Sequence, residues 1–279
     1  MKINTETEEE NLFDVLNQPE IVSRISSKWA GRNVVFLEET GSTNVEAKMA
    51  AEQGAVHGTL VVADSQSGGK GRRGRSWHSP KGSAIAMSLI LKPQLEVEKA
   101  SMLTIVQAMA TAKALEELSP WKPQIKWPND ILIQEKKVCG ILTEMHLDKT
   151  KIASIVIGCG INVNQECFPE EIAEIATSMK IVTGKNQSRS KLIGRICELF
   201  EEYFEKFMDT GDLSGMAEEY NDYLVSKGRL VKVLDPGGEF TGETLGINVL
   251  GELLVKRADG EVVKVYAGEV SVRGIYGYV

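Results

Sequence analysis

Apolar positions along this chain recur with two periods, and the switches between them divide it into segments. In residues 7–29, Ile21, Ile25 and Trp29 fall four apart, which predicts a helical face stopped by Gly31. Residues 33–37 and 59–64 read as strands. Between them, Thr43-Asn44-Val45-Glu46 fits a capping box, so a helix is predicted from 43 to about 53 with Gly54 as its stop. Residues 83–91 alternate around another strand, and 97–118 predict a long helix ended by Ser119-Pro120. The middle is β-rich, with strands predicted at 124–127, 131–134, 138–146 and 152–158. Lys136-Lys137 and residues 148–151 fall at their turns, and connections this short imply antiparallel hairpins. In residues 189–209 the stripe Leu192, Ile196, Leu199, Tyr203 and Phe207 gives the strongest helical signal, and a second helix is predicted over 213–226. From Arg229 the pattern becomes short strands at 229–234, 239–245, 252–256, 261–266 and 269–273. Pro236-Gly237-Gly238 and Asp259-Gly260 mark tight turns among them, which predicts a small β-barrel of SH3 size. The chain thus divides into an N-terminal helical extension (1–30), a main α/β domain (31–226) and a small all-β domain (227–279).

Composition narrows the function classes. The 279 residues are 42% apolar and 25% charged, which fits a soluble globular protein. The net charge of −7 argues against a wholesale nucleic-acid binder and leaves room only for a local basic patch. The cysteines, Cys139, Cys159, Cys167 and Cys197, form no C-x-x-C pair and have no histidine at zinc-site spacing, so they read as small core residues. The acidic start MKINTETEEENLF is no signal peptide, and no apolar run reaches membrane-span length. A cytoplasmic location is expected.

Two segments carry chemistry. Gly69-Lys70-Gly71-Arg72-Arg73-Gly74-Arg75 fits G-x-G-x-x-G literally, but a dinucleotide site needs a helix opening there, and Trp77, Ser79, Pro80 and Gly82 forbid one. A phosphate-binding P-loop fails too, since Gly71 stands where a magnesium-binding Ser or Thr is required. What remains is a run of cations interleaved with glycines, suited to gathering anionic groups and closing over them. A solvated basic loop touching nucleic acid is the alternative, and Trp77 weighs against it. The second segment is Lys126-Trp127-Pro128-Asn129-Asp130. Pro128 stiffens the bend, Lys126 suits a point charge on developing negative oxygen, and Asp130 suits magnesium or general-base help to an amine.

Together these segments resemble the G-R-G-R-R-G-R-x-W loop and K-W-P-N-D turn of the biotin–protein ligase family. In the same order, Ser42-Thr43-Asn44 resembles its S-T-N, Lys137-Val138-Cys139-Gly140-Ile141-Leu142 its K-x-x-G-I-L, Gly158-Cys159-Gly160-Ile161-Asn162 its G-x-G-I-N, and 268–273 its G-E-[IV]-x-x-R. The resemblance implies an α/β (α+β) fold: a mixed-sheet, class II-synthetase-like biotin/lipoate ligase catalytic domain followed by an SH3-like β-barrel. It implies ATP as co-substrate, Mg2+, biotin as substrate and a biotin carboxyl carrier protein or domain as acceptor.

Residue roles follow from the same resemblance. Ser42, Thr43 and Gln66 would bond the ureido head of biotin. Asn44, Gly69, Lys70, Gly71, Arg73 and Gly74 would surround that ligand with the backbone of Gly140, and Trp77 would close over it. Arg72 and Lys126 would also contact biotin, and both, with Arg75, Trp77, Asn129, Asn162 and Arg273, would meet ATP. Arg72, Lys126 and Asp130 would be catalytic, with Asp130 on the metal. Lys70 departs from the family arginine, keeping the charge but losing the bidentate fork. A homodimer is expected; specific DNA binding is not, because the acidic stretch of about 30 residues before the first strand is too short for a helix-turn-helix reader. A lipoate ligase and an RNA-binding module are the rival readings.

Overall fold

A computed structural model describes residues 14–235, 237–268 and 271–274. The acidic start 1–13, Pro236, Glu269 and Val270 of the closing motif, and 275–279 lie outside the described residues.

The first helix is shorter than its pattern predicts. It is α1 (Gln18–Arg24), capped by the Asn17 side chain, and Ile25 already has extended backbone. The reason is tertiary: the Glu201 carboxylate accepts the backbone N–H groups of Lys28, Trp29 and Ala30 at 2.7–3.0 Å, drawing that stretch out of a helix. Next come β1 (Asn33–Thr40), α2 (Thr43–Glu52) and β2 (Thr59–Lys70), with β1 and β2 parallel. The glycine loop is not a loop throughout. Strand β2 runs to Lys70, Arg72–Gly74 form a 3-10 turn, and β3 (Ser76–Ser79) returns antiparallel on β2. As the sequence requires, no helix opens there.

The elements that follow are β4 (Ala84–Leu91), α3 (Met102–Glu116), β5 (Gln124–Lys126), β6 (Asp130–Ile133), β7 (Lys136–Asp148) and β8 (Lys151–Asn162). Two short helices, α4 (Glu170–Ala173) and α5 (Met179–Thr183), precede α6 (Arg189–Thr210) and α7 (Ala217–Tyr223). The sheet is mixed, in the order β1-β2-β4-β8-β7-β6-β5 with β3 appended to β2, and β5 to β8 are antiparallel as their short turns predict. Every residue of β4 is buried because both sheet faces are covered. Helix α2 packs Ala47 and Ala51 on Val61, Ile90 and Val156 on one face. On the other lie α3 and α6, the latter burying the whole predicted stripe from Leu192 to Phe207. Cys139, Cys159 and Cys197 are buried as read, but Cys167 is exposed.

The C-terminal strands are β9 (Leu230–Leu234), β10 (Phe240–Ile247), β11 (Leu253–Lys256), β12 (Val262–Val265) and β13 (Ser271–Gly274). They form an antiparallel sheet in the order β12-β11-β10-β9-β13. This corrects the expected barrel: among the described residues no ladder joins β12 to β13, so the sheet stays open. Val231, Val233, Leu253 and Val255 are continuous with the main core. The Trp127 indole N–H donates to the Gly251 carbonyl at 3.0 Å, tying this sheet to the proline bend. Among the described residues no helix is long and apolar enough to cross a membrane.

Candidate active site

A cleft of about 560 Å³ opens between the β2–β3 hairpin, the 126–130 bend, the mid-portions of β7 and β8, and the start of β13. Its walls include Ser42, Thr43, Asn44, Gln66, Lys70, Gly71, Arg72, Arg73, Arg75, Trp77, Lys126, Asn129, Asp130, Gly140 and Arg273. The two basic segments, far apart in sequence, therefore face one space. Of the residues expected here, Gly69, Gly74 and Asn162 do not line it. Gly69 is buried in the hairpin between Gln66 and Trp77, where a side chain would overlap both. Asn162 is buried behind the cleft; its amide donates to the Thr177 carbonyl at 3.0 Å and accepts from Gln165 at 3.1 Å.

One end of the cleft is polar. Ser42 is the N-cap of α2, but no side-chain cap bond forms, contrary to the capping box read from the sequence. Instead Gln66 Oε1 accepts the Thr43 N–H at 2.9 Å, and Glu46 accepts the Thr40 hydroxyl at 2.8 Å. A neighbouring strand thus takes the orphan donor that the cap would have satisfied, and the Ser42 and Thr43 hydroxyls stay at the cleft.

The middle is aromatic and tight. A Cβ on Gly140 would sit 3.1 Å from both Lys137 and Trp77, while one on Gly160 would run into the Trp77 ring and one on Gly158 into the Asn44 amide. These glycines are required by close approach. The buried Trp77 Nε1 has no hydrogen-bond partner among the described residues.

The other end is cationic. Arg72 donates to Asn129 Oδ1 at 2.9 Å and to the Gly268 carbonyl at 2.6 Å, so one guanidinium joins the hairpin, the proline bend and the segment that follows β12. At its tip the turn is tight enough to hold Arg73 at φ 60°, the left-handed region. Burial lowers the Lys126 ammonium to about 8; Asp130 opposes this, and Lys137, Arg273 and Arg75 add to it. Arg72 is likewise lowered chiefly by burial, against Asp130, with Arg73 and Arg75 contributing. Both shifts come chiefly from burial, with Asp130 as the counter-charge to both cations, and clustered buried charge of this kind is typical of functional sites.

Lys137 is the residue the sequence reading missed. It was read as part of a turn, yet its ammonium reaches into the cleft, 2.7 Å from Asp130 Oδ1 and 5.3 Å from the centre of the Trp77 ring. A register shift between Ile131 and Leu132 in the β6–β7 ladder sets its direction, and strand alternation alone cannot show such a bulge. The only available signal was its place in the K-x-x-G-I-L segment.

The donor set does not build a magnesium cage. Among the described residues no three His, Cys, Asp or Glu side chains come together, and the Asp130 carboxylate already holds Lys137 and the Asn129 amide.

Comparison with known proteins agrees with this geometry. Residues 38–162 match the Biotin/lipoate A/B protein ligase family and residues 228–273 the Biotin protein ligase C terminal domain. The Bifunctional ligase/repressor BirA of Bacillus subtilis is 36% identical over 257 residues, covering 91% of this chain and 78% of that protein. The Biotin--[acetyl-CoA-carboxylase] ligase of Mycobacterium tuberculosis is 27% identical over 271 residues, covering 95% and 98%. The structure of biotin protein ligase from Aquifex aeolicus in complex with biotin and ATP superposes with a TM-score of 0.76 at 32% identity, covering 87% of this chain and 99% of that one.

Proposed function

The chain belongs to the biotin protein ligase family, and from that membership we propose how its cleft carries out ATP-dependent ligation of biotin to protein. A carboxylate oxygen of biotin attacks the α-phosphorus of ATP, the bond to the β-phosphate oxygen breaks, and pyrophosphate leaves. The ε-amine of a lysine on a biotin carboxyl carrier protein or domain then attacks the acyl carbon of biotinyl-5'-AMP. The amide forms, AMP leaves, and the amine proton is lost to a base. The observation that carries this reading is the meeting of Arg72 and Lys126 in one cleft. Two anions repel as they approach, and fixed cations that need not reorganise offset that repulsion.

The polar end takes the ureido ring. Gln66 and the Ser42 hydroxyl line this end and serve a group with both donors and acceptors. Trp77 covers the ligand, and its buried N–H is left for a ligand oxygen. Asn129, Arg75 and Arg273 serve the nucleotide. Asp130 would be the carboxylate at hand for a magnesium ion carried by the ATP phosphates, which would supply charge neutralisation there, and no step here depends on a protein-built metal site. The protein works in the cytoplasm. Calorimetry with biotin, then ATP, tests the whole scheme, and ATP–pyrophosphate exchange with lipoate in place of biotin tests the ligand. Exchange with lipoate alone would defeat it.

Gly160→Ala is expected to weaken biotin about tenfold, because its methyl displaces Trp77. Calorimetry reads the affinity, and unchanged binding would remove Trp77 from the pocket wall.

Beyond Gly140, β7 is paired by β8 but, among the described residues, by no strand on its other edge, where Met145 and Leu147 are exposed. This edge is proposed to pair with a second copy. Sedimentation at micromolar concentration is expected to show a dimer that Met145→Lys disperses, and a purely monomeric wild type would contradict it.

A further inference from the structure

Ser88 lies on β4 directly beneath the polar end of the cleft and is wholly buried. Its hydroxyl oxygen stands 2.8 Å from Thr43 Oγ1 and 2.7 Å from Asn44 Oδ1. Thr43 Oγ1 is in turn 3.2 Å from Gln66 Oε1. Neighbours fix both amide orientations. Asn44 Nδ2 faces two acceptors, the Glu144 carboxylate at 2.6 Å and the Leu142 carbonyl at 3.3 Å, so Oδ1 is the end that meets Ser88. Gln66 turns its oxygen to the Thr43 backbone N–H at 2.9 Å.

The proton count follows. Three oxygen–oxygen contacts share the two protons of the Ser88 and Thr43 hydroxyls. Asn44 Oδ1 can only accept, so the Ser88 proton goes to it. The Ser88 oxygen must then accept from Thr43, whose proton points into the protein, shared at most with Gln66. Neither proton is left for the cleft.

We infer that Ser88, held by Asn44 and Glu144, is a positioning residue that makes Thr43 Oγ1 a pure acceptor and so selects ligands presenting an N–H at that point. The chemical class selected is a cyclic urea, and the inference rests on the biotin reading given above. Gln66 Nε2 supplies the complementary donor for the urea carbonyl. An analogue with oxygen in place of that ring N–H would set two lone pairs against each other, and Thr43 could not turn its proton outward without leaving the 2.8 Å contact between its own oxygen and that of Ser88 with no proton in it.

The test uses biotin and the two analogues in which one ring N–H is replaced by oxygen, measured by calorimetry on the full chain. Wild type is expected to bind one of the two at least ~10-fold more weakly than biotin, because a site built to accept an N–H rejects a ligand lacking it. Ser88→Ala leaves the Thr43 proton only the longer contact to Gln66 Oε1 at 3.2 Å, so it can turn outward at less cost and that ratio should fall to ~3-fold or less, with the KM for ATP unchanged. Ser88→Cys keeps the volume and should act in the same direction, which covers an alanine variant that fails to fold. Equal weakening of biotin and analogue in these variants would mean that Ser88 only packs, and would overturn the inference. So would a wild type indifferent to both oxygen substitutions. A wild type with no heat on adding biotin would overturn the underlying ligand reading instead, and this inference with it.

Discussion

Lys126→Ala is expected to lower biotin-dependent ATP–pyrophosphate exchange by about 10²–10³-fold, the usual cost of removing one preorganised charge from a site where negative oxygen develops. The fold should survive. Lys126 is half-buried, with Lys137, Arg273 and Arg75 near enough to disfavour its charge further, and its pKa stands at about 8. An unfolded lysine titrates near 10.4. Between these values the unfolded chain binds more protons than the folded one, so this group makes stability rise with pH across that window. Below about pH 8 its penalty is fully present. The alanine variant lacks the penalty, so its unfolding midpoint near neutral pH should equal or exceed that of the wild type. Catalysis runs the other way. The charged form is the useful one, so kcat/KM of the free enzyme should fall as pH rises through about 8. Lys126→Arg keeps a charge that does not titrate and should abolish that limb while retaining part of the rate. Exchange at the wild-type rate in Lys126→Ala would remove this residue from the chemistry.

Much of this was legible before any coordinates. The stripe from Leu192 to Phe207 is a 22-residue helix because its period is 3.6 and nothing else competes for its backbone. The hairpins from 124 to 162 followed from short turns, and the absence of a helix after Gly74 followed from Trp77, Pro80 and Gly82. The misses share a cause. The helix predicted through Trp29 was undone by Glu201, which lies more than 170 residues away in the chain. The capping box failed because Gln66 supplied the acceptor from another strand. Lys137 and Ser88 went unread because their roles depend on a bulge and on shared protons, which are tertiary properties with no local signature. The small domain was read strand by strand, but closure into a barrel depends on edge pairing, which period-2 patterning does not specify.

Arg72→Gly should separate making the adenylate from keeping it. Arg72 ties the glycine hairpin to Asn129 at 2.9 Å and to the Gly268 carbonyl at 2.6 Å, so it holds the hairpin down over the cleft from two sides. Hydrogen bonds from a charged donor contribute roughly 1.5–3 kcal/mol each. Losing two of them, with part of the loss recovered by neighbouring cations, leaves a net of about 3 kcal/mol, or about 10²-fold in the time the hairpin stays closed. Adenylate release should quicken by about that factor. Lys126 and Lys137 remain in place, so adenylate formation should fall less than in Lys126→Ala. Biotinyl-AMP would then appear in free solution during turnover, and added amines unrelated to the carrier should become acylated. Gly74, at φ +73° beside the left-handed Arg73, already makes the hairpin tip a natural pivot for this opening. Quenched-flow separation of bound from free adenylate gives the release rate directly. A rate equal to the wild type's would show that the hairpin stays closed without Arg72, and that retention of the intermediate rests on Trp77 and the cleft walls instead.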